Sequence, residues 1–188
     1  MRLEELAHRQ GEDISIRWRS FLLRPVPEER SVDEFRDYTT KWARPAELEP
    51  LARFTYPWSG GAPPAGSVPS AIAGKVAETF GAESAASFHR QLLGAYFTEN
   101  RTISDLETLV AVAEEAGLDS AAFLQTYRDS EQVLLREVYD DHNAAVNAGV
   151  TGVPAVVVDD RYLVPGAVDV EYYEQVLDHV RRERTADG

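Results

Sequence analysis

The sequence contains no cysteine among its 188 residues. Disulfide bonds, thiolate metal sites and catalysis by a thiol are therefore excluded for the residues given. The four histidines do not show the His-x-x-x-His spacing of a helical zinc site. No glycine-rich nucleotide-binding loop is present either. We expect no metal site, no cofactor and no catalytic residue of this chain's own.

Positive charge is also scarce. The chain has two lysines, Lys41 and Lys75, and a formal net charge of −13, which argues against a surface that binds nucleic acid. No stretch approaches the roughly 20 apolar residues needed to cross a bilayer. The first 15 residues, MRLEELAHRQGEDIS, are polar and lack the apolar centre of a signal peptide. We expect no membrane partner and a cytoplasmic location.

Helix signals occupy most of the chain. The segment RLEELAHRQ predicts a helix that ends at Gly11. Ser31 and Glu34 have the spacing of a capping box, and Ser104 and Glu107 repeat it. Further amphipathic patterns, several of them followed by glycine, predict about five helices between the first strand and the last third of the chain.

Strand signals appear in two places. Alternating apolar residues predict a strand over Ile14–Phe21, which ends before Pro25. The apolar run Ala155–Val158, followed by the acidic reversal Asp159-Asp160 and a second apolar run, predicts a β-hairpin. A last amphipathic helix, VDVEYYEQVLDHVRR, closes the pattern.

Three segments resemble a known family. They are ISIRWRSFLLRP, FHRQLLGAYFTENRTISDLETLVAVAEEAGLD and GVTGVPAVVVDDRYLVPGA. Together they are similar to the DsbA-type thioredoxin proteins, in particular the cytoplasmic FrnE-like branch, with 2-hydroxychromene-2-carboxylate isomerases as relatives. The resemblance implies an α/β thioredoxin-like fold, with residues 1–30 and 131–188 as its core and residues 31–130 as a helical insertion.

The resemblance also implies a binding surface. In this family a cis proline starts the third core strand, and the backbone before it pairs with an extended peptide or with glutathione. The matching residue is Pro154, so we expect a cis Val153–Pro154 bond, with Val153 and Thr151 lining the same surface. Trp58, in the Gly/Pro-rich loop 56–70, is expected as a further substrate contact.

The sequence departs from the family at its start. Family members place a strand and a Cys-x-x-Cys motif before residues like RLEEL, whereas this sequence starts at Met1. That first strand lies in mid-sheet, between the segments matching Ile14–Phe21 and Ala155–Val158. Without it, these two segments would be roughly 9–10 Å apart, too far for direct hydrogen bonds. We therefore expect marginal stability, a rearranged sheet or a strand donated by another chain.

Three functions follow from the resemblance. The first is a thiol–disulfide oxidoreductase, truncated at its N-terminus and inactive as given. The second is a redox-dead module that binds peptides or acts as a chaperone. The third and weaker one is a glutathione-dependent isomerase. In the first two, the expected partner is an extended peptide or thiol substrate, and an oligomer is compatible with a donated strand.

Overall fold

A computed structural model describes residues 2–49 and 52–186. Its eight α-helices and two strands follow in this order: α1 (Arg2–Gln10), α2 (Val32–Thr39), α3 (Ala43–Leu48), α4 (Val68–Glu78), α5 (Ala82–Phe97), α6 (Leu106–Glu115), α7 (Ser120–Asn147), β1 (Ala155–Val158), β2 (Tyr162–Pro165) and α8 (Val170–Ala186). Short 3₁₀ turns follow α1 (Gly11–Asp13) and α2 (Thr40–Trp42).

The chain divides into two compact units. One consists of Met1–Phe21 with Asp140–Gly188, and the other of Leu22–Tyr139. The family resemblance implies a core of residues 1–30 and 131–188 around an insertion of residues 31–130, and that division stays a prediction. The boundary between the two compact units after Tyr139 falls inside α7. The sequence pattern suggests two helices there, but the structure has one helix of 28 residues.

The hairpin unit is built on a small apolar core. Leu6 of α1, Val164 of β2 and Tyr173 of α8 are buried there, and Val156 and Val158 of β1 pack against them. Arg9 of α1 adds ion pairs at 3.2 and 3.4 Å to two glutamates of α8. Alternate residues of β1 therefore face α1 and α8, as expected for a strand with one covered face.

The predicted hairpin is confirmed. Strands β1 and β2 are antiparallel, with Ala155 opposite Pro165 and Val158 opposite Tyr162. Asp159 and Asp160 adopt left-handed φ values of 57° and 53°, a conformation that aspartate tolerates better than most side chains. The acidic reversal is therefore the turn of the hairpin.

The predicted strand Ile14–Phe21 is wrong. In the described part of the chain the sheet has two strands, β1 and β2, and residues 14–21 belong to no ladder. The alternation reflects half-burial of an irregular segment: Ile14 packs into the core of the hairpin unit, while Trp18 is exposed. A strand also needs a neighbouring strand within hydrogen-bonding distance. The local sequence pattern does not show whether one is present.

The larger unit is helical and has two apolar clusters. Residues of α4, α5, α6 and α7 form the main one, with Phe88 and Phe123 in ring contact at 5.4 Å. Phe35, Trp42 and Trp58 form the second, an aromatic cluster. The helix that carries Phe35 begins where the sequence predicts, because Ser31 and Glu34 form a complete capping box.

The second predicted capping box is wrong. Helix α6 is capped by Asp105, whose carboxylate accepts hydrogen bonds from the Thr108 amide and hydroxyl at 3.3 and 3.2 Å. Ser104 instead accepts a hydrogen bond from the amide of Ala65 at 3.2 Å. Asp and Ser are equally good helix caps, so the two adjacent candidates could not be ranked from sequence.

Candidate functional site: the segment before strand β1

The candidate site begins where α7 ends. Gly149 has a φ of 85°, and the amide of Val150 donates to the carbonyl of Ala145 at 3.0 Å. A glycine in the left-handed conformation is the usual way to terminate a helix, because it has no Cβ to clash. This turn directs the chain into Thr151-Gly152-Val153-Pro154, which leads directly into β1.

Three of the four predicted site residues lie together in this segment. Thr151, Val153 and Pro154 are exposed, Val153 by 52%. The Val153–Pro154 peptide bond has the cis geometry that the sequence predicts. We refer to Thr151–Pro154 as the pre-strand segment.

Among the described residues, most backbone groups of the pre-strand segment have no hydrogen-bond partner. The carbonyl of Pro154 accepts a hydrogen bond from the amide of Gly166 at 2.8 Å, which closes the end of the hairpin. Within the residues that the structure describes, the N–H and C=O groups of Val153 have no hydrogen-bond partner. An exposed donor and acceptor on one residue is the arrangement that an extended chain can pair with.

Strand β1 presents a second set of backbone groups. It forms a ladder with β2, and its other edge pairs with no described residue. Val157, on the face opposite the α1 and α8 core, is 39% exposed. The pre-strand segment and this open edge are continuous, so an extended ligand can contact both.

The hairpin that carries the site is fixed to α8. The hydroxyl of Tyr162 donates to Glu183 at 2.5 Å, and His179 lies 3.4 Å from the other oxygen of that carboxylate. The hydrogen bond with Glu183 raises the pKa of Tyr162, and the same bond lowers the pKa of Glu183. Arg184 also donates to Asp159 in the turn. These contacts limit movement of the hairpin relative to α8.

Asp141 is a structural residue of the same unit, and the sequence did not indicate its role. Its side chain is only 4% exposed and accepts hydrogen bonds from the Arg19 guanidinium at 2.6 Å and from the amide of Ser20 at 3.1 Å. The bonds hold residues 19 and 20 against α7. Two adjacent aspartates such as Asp140-Asp141 are typical of a solvent-exposed helix surface. The sequence therefore did not indicate that Asp141 is buried.

The expectation that Trp58 contacts substrate needs correction. Its ring is fully buried in the aromatic cluster, 5.0 Å from Phe35, and belongs to the helical unit. Its amide donates to the Thr39 hydroxyl at 2.8 Å and its indole N–H to the Gly61 carbonyl at 3.0 Å. Trp58 therefore stabilises the 56–70 loop from inside and offers no surface to a ligand.

Buried Asn100 completes this loop and was also missed. Its side-chain oxygen accepts from the amide and hydroxyl of Ser59 at 2.9 and 3.2 Å, and its nitrogen donates to the carbonyls of Thr55 and Tyr96 at 3.1 and 3.4 Å. A buried amide with every group paired holds a loop in one conformation. In sequence, Asn100 appears only as part of an Asn-Arg-Thr triplet.

Among the residues with described positions, no group of three or more His, Asp or Glu side chains is arranged to hold a metal ion. No described helix is both long enough and apolar enough to span a bilayer.

Comparison with known proteins gives the family. A model of the DSBA-like thioredoxin domain matches residues 1–178. The uncharacterized protein YwbO of Bacillus subtilis (strain 168) is 24% identical over 186 residues, which cover 93% of this chain and 86% of that protein.

Solved structures agree with this match. A probable DsbA oxidoreductase from Streptomyces coelicolor superposes with a TM-score of 0.70 and 26% identity, covering 97% of this chain and 82% of that one. The cytosolic disulfide reductase DsbM from Pseudomonas aeruginosa gives 0.68 and 20%, covering 98% and 89%. The fold is thus mixed α/β and thioredoxin-like with a helical insertion, and the chain belongs to the DSBA-like thioredoxin domain family.

Proposed function

We propose that this chain is the substrate-binding part of a thiol–disulfide oxidoreductase, and that it binds an extended peptide or thiol substrate at the pre-strand segment. The observation that carries the proposal is the exposed Val153, whose backbone N–H and C=O have no partner among the described residues. The open edge of β1 directly follows it.

Backbone pairing favours an extended polypeptide over a compact ligand. A peptide that adds to a sheet edge gains main-chain hydrogen bonds, and side-chain pockets then provide selectivity. Val153 and Val157 are exposed apolar side chains along this path. A substrate with small apolar side chains therefore fits the surface better than a highly charged one.

The chain supplies no thiol of its own. Thiolate is the attacking species in disulfide exchange, and the 188 residues contain no cysteine. Exchange chemistry would need cysteine from outside these residues, such as a Cys-x-x-Cys motif preceding α1. The named functions of the oxidoreductase relatives support the thiol substrate class, and the cytosolic DsbM supports a cytoplasmic location.

A second candidate is a redox-inactive peptide-binding module. It uses the same pre-strand segment, and the absence of cysteine favours it. The two candidates differ in whether a longer form of the protein has redox activity. A strand and Cys-x-x-Cys motif encoded in frame before Met1, giving a longer protein that reduces insulin, would support the oxidoreductase. A stop codon there would support the binding module, and a serine-containing motif would support the isomerase.

The binding proposal can be tested on the 188-residue protein. A fluorescein-labelled peptide of small apolar residues is titrated, and its anisotropy is measured. We expect Val153→Asp to weaken binding at least about tenfold, because a carboxylate would meet apolar side chains and peptide carbonyls. Val133→Asp, which changes an equally exposed valine of α7 in the helical unit, is the matched control. Equal affinity of the wild type and Val153→Asp would refute the proposed site.

A further inference from the structure

A cavity of about 260 Å³ lies between β2 and α8, within the hairpin unit. Three consecutive residues of β2 line it together with one face of α8, and no residue of the pre-strand segment does. The lining includes Tyr162, Leu163, Val164, Tyr172, Gln175 and His179. An engineered apolar cavity of about 150 Å³ holds one benzene molecule. The cavity beside β2 therefore has room for a single aromatic ring.

The register of the hairpin determines which backbone groups of β2 are free. Opposed residues of an antiparallel ladder alternate between pairs that exchange hydrogen bonds and pairs that do not. The amide of Gly166 donates to the carbonyl of Pro154 opposite it. Three positions further along, Leu163 and Val157 are therefore a pair without hydrogen bonds. The N–H and C=O of Leu163 point to the outer edge of β2, where no described residue pairs with them.

Leu163 meets the cavity with its backbone. The next residue, Val164, is buried in the core with α1 and α8, and successive strand residues face opposite sides of a sheet. The side chain of Leu163 therefore lies on the side away from α8. Consistent with this, a Cβ on Gly149 would be 3.7 Å from a terminal carbon of Leu163. What Leu163 adds to the cavity is its free N–H and C=O.

These two groups select a particular kind of ligand. The N–H and C=O of one residue in a strand point in the same direction, so Leu163 presents a donor beside an acceptor. A primary carboxamide carries the complementary pair, because its oxygen accepts and its NH₂ donates. A ketone or a carboxylate supplies acceptors alone and would leave the carbonyl of Leu163 unpaired.

The walls of the cavity favour a flat ring. Tyr162 and His179 are in edge-to-face contact, with centroids 5.4 Å apart and planes at 78°. The hydrogen bond from Tyr162 to Glu183 holds this pair in place. Tyr172, also in the lining, is 50% exposed. Aromatic rings attract one another in offset-stacked and edge-to-face arrangements. A ligand ring can therefore contact aromatic side chains of both β2 and α8.

The charges around the cavity favour a neutral ligand. Among its described lining residues there is no Asp, Glu, Lys or Arg. The two charged groups that contact Tyr162, Glu183 and Arg161, form an ion pair with each other at 3.4 Å. His179 lies 3.4 Å from the same glutamate. A carboxylate on the ligand would lose water in the cavity without gaining a free cation as a partner.

We propose that the cavity between β2 and α8 binds a neutral carboxamide attached to a single aromatic ring. The carboxamide pairs with the N–H and C=O of Leu163, and the ring lies against Tyr172 and His179. The site is separate from the pre-strand segment, because β2 borders the cavity with one edge while β1 forms the opposite edge of the hairpin.

Titration of the 188-residue protein with benzamide, followed by amide chemical shifts, tests the proposal. We expect saturable binding that shifts the Leu163 amide most and slows its hydrogen exchange, whereas the Val164 amide, bonded within the ladder, changes little. Acetophenone has nearly the same shape but no N–H donor, so it should bind about fivefold more weakly, the ratio for one hydrogen bond. Absence of saturation, equal binding of acetophenone, or shifts centred on Val153 would overturn the proposal.

A pair of variants tests the ring contact. Tyr172→Ala should weaken benzamide binding about fivefold, because it removes an aromatic wall. Tyr38→Ala is the matched control and should change the affinity less than about twofold. Tyr38 is 42% exposed and lies on α2 in the helical unit. Unchanged affinity in Tyr172→Ala, or an equal loss in Tyr38→Ala, would refute the site.

A third variant tests the backbone contact. Leu163→Pro removes the N–H that the carboxamide oxygen accepts from, and proline is tolerated at an edge position whose N–H is outside the ladder. Benzamide binding should weaken at least about fivefold. Unchanged binding would refute the contact with Leu163. If this variant does not fold, the comparison of benzamide with acetophenone on the wild type decides the same question.

Discussion

Asp141 of α7 holds Arg19 through a 2.6 Å hydrogen bond between its buried carboxylate and the guanidinium group. The other carboxylate oxygen accepts the amide of Ser20 at 3.1 Å. One side chain thus fixes two consecutive residues of the segment for which the sequence predicts a strand. Side-chain hydrogen bonds replace a ladder at this point.

Asp141→Ala should therefore destabilise the protein. The change leaves the amide of Ser20 without its acceptor at a partly buried position, and we expect a loss of about 1–3 kcal/mol in the free energy of unfolding. Urea denaturation followed by circular dichroism measures it. Asp178→Ala is the control, because its ion pair with Arg181 is exposed and such pairs contribute about 0–1 kcal/mol. Similar losses in the two variants would contradict the role given to Asp141.

Gly60 and Gly61 should respond differently to alanine. A Cβ on Gly60 would collide with the backbone carbonyl of Asn100, whereas a Cβ on Gly61 would meet nothing within 4 Å. We expect Gly60→Ala to cost about 1–3 kcal/mol through overpacking. Gly61→Ala should be close to neutral, because neither residue has a positive φ. Thermal unfolding of both variants checks the prediction, and equal melting temperatures would show that the loop is not tightly packed around Asn100.

Tyr162→Phe should change the acid sensitivity of the protein. The hydrogen bond from Tyr162 lowers the pKa of Glu183 below its ordinary value of 4.5. A depressed carboxyl pKa contributes stability that is present above the unfolded-state pKa and is lost as pH falls through the folded-state pKa. The variant should therefore lose less stability than the wild type between about pH 6 and pH 3.

The measurement for this variant is the melting temperature at several pH values across that range. Tyr172→Phe is the matched control. Tyr172 is 50% exposed, and its hydroxyl takes no part in the hydrogen bond to Glu183. Parallel pH profiles for Tyr162→Phe and the wild type would show that Glu183 does not depend on the tyrosine.

The 188-residue protein should show no thiol–disulfide activity. No residue in it can form the thiolate that attacks a disulfide. Reduction of insulin by dithiothreitol should proceed at the same rate with and without the protein. A rate above this background would refute the conclusion that the chain contributes no redox group.

Features set by neighbouring residues were predicted well from the sequence. The capping box at Ser31 and Glu34, the end of α7 at Gly149 and the hairpin turn at Asp159-Asp160 depend on short-range geometry that the residue types themselves determine. The position of Thr151, Val153 and Pro154 before β1 follows from the same local pattern.

Features that depend on distant residues were missed. Whether Ile14–Phe21 is a strand depends on a neighbouring strand, and whether Trp58 is exposed depends on how α2 packs against its loop. The burial of Asn100 and Asp141 likewise depends on partners 41 and 122 residues away.

The open edge of β1 also affects whether copies of the protein associate in solution. The strand Ala155–Val158 has no charged side chain, and an unprotected apolar edge can pair with the same edge of another copy. The net charge of −13 opposes such encounters when little salt is present. Salt shortens the reach of this repulsion to about 10 Å at 0.1 M and about 3 Å at 1 M, whereas it does not weaken apolar contacts. Concentrated protein should therefore remain dispersed in dilute buffer and begin to associate as salt is added, and light scattering would follow this change.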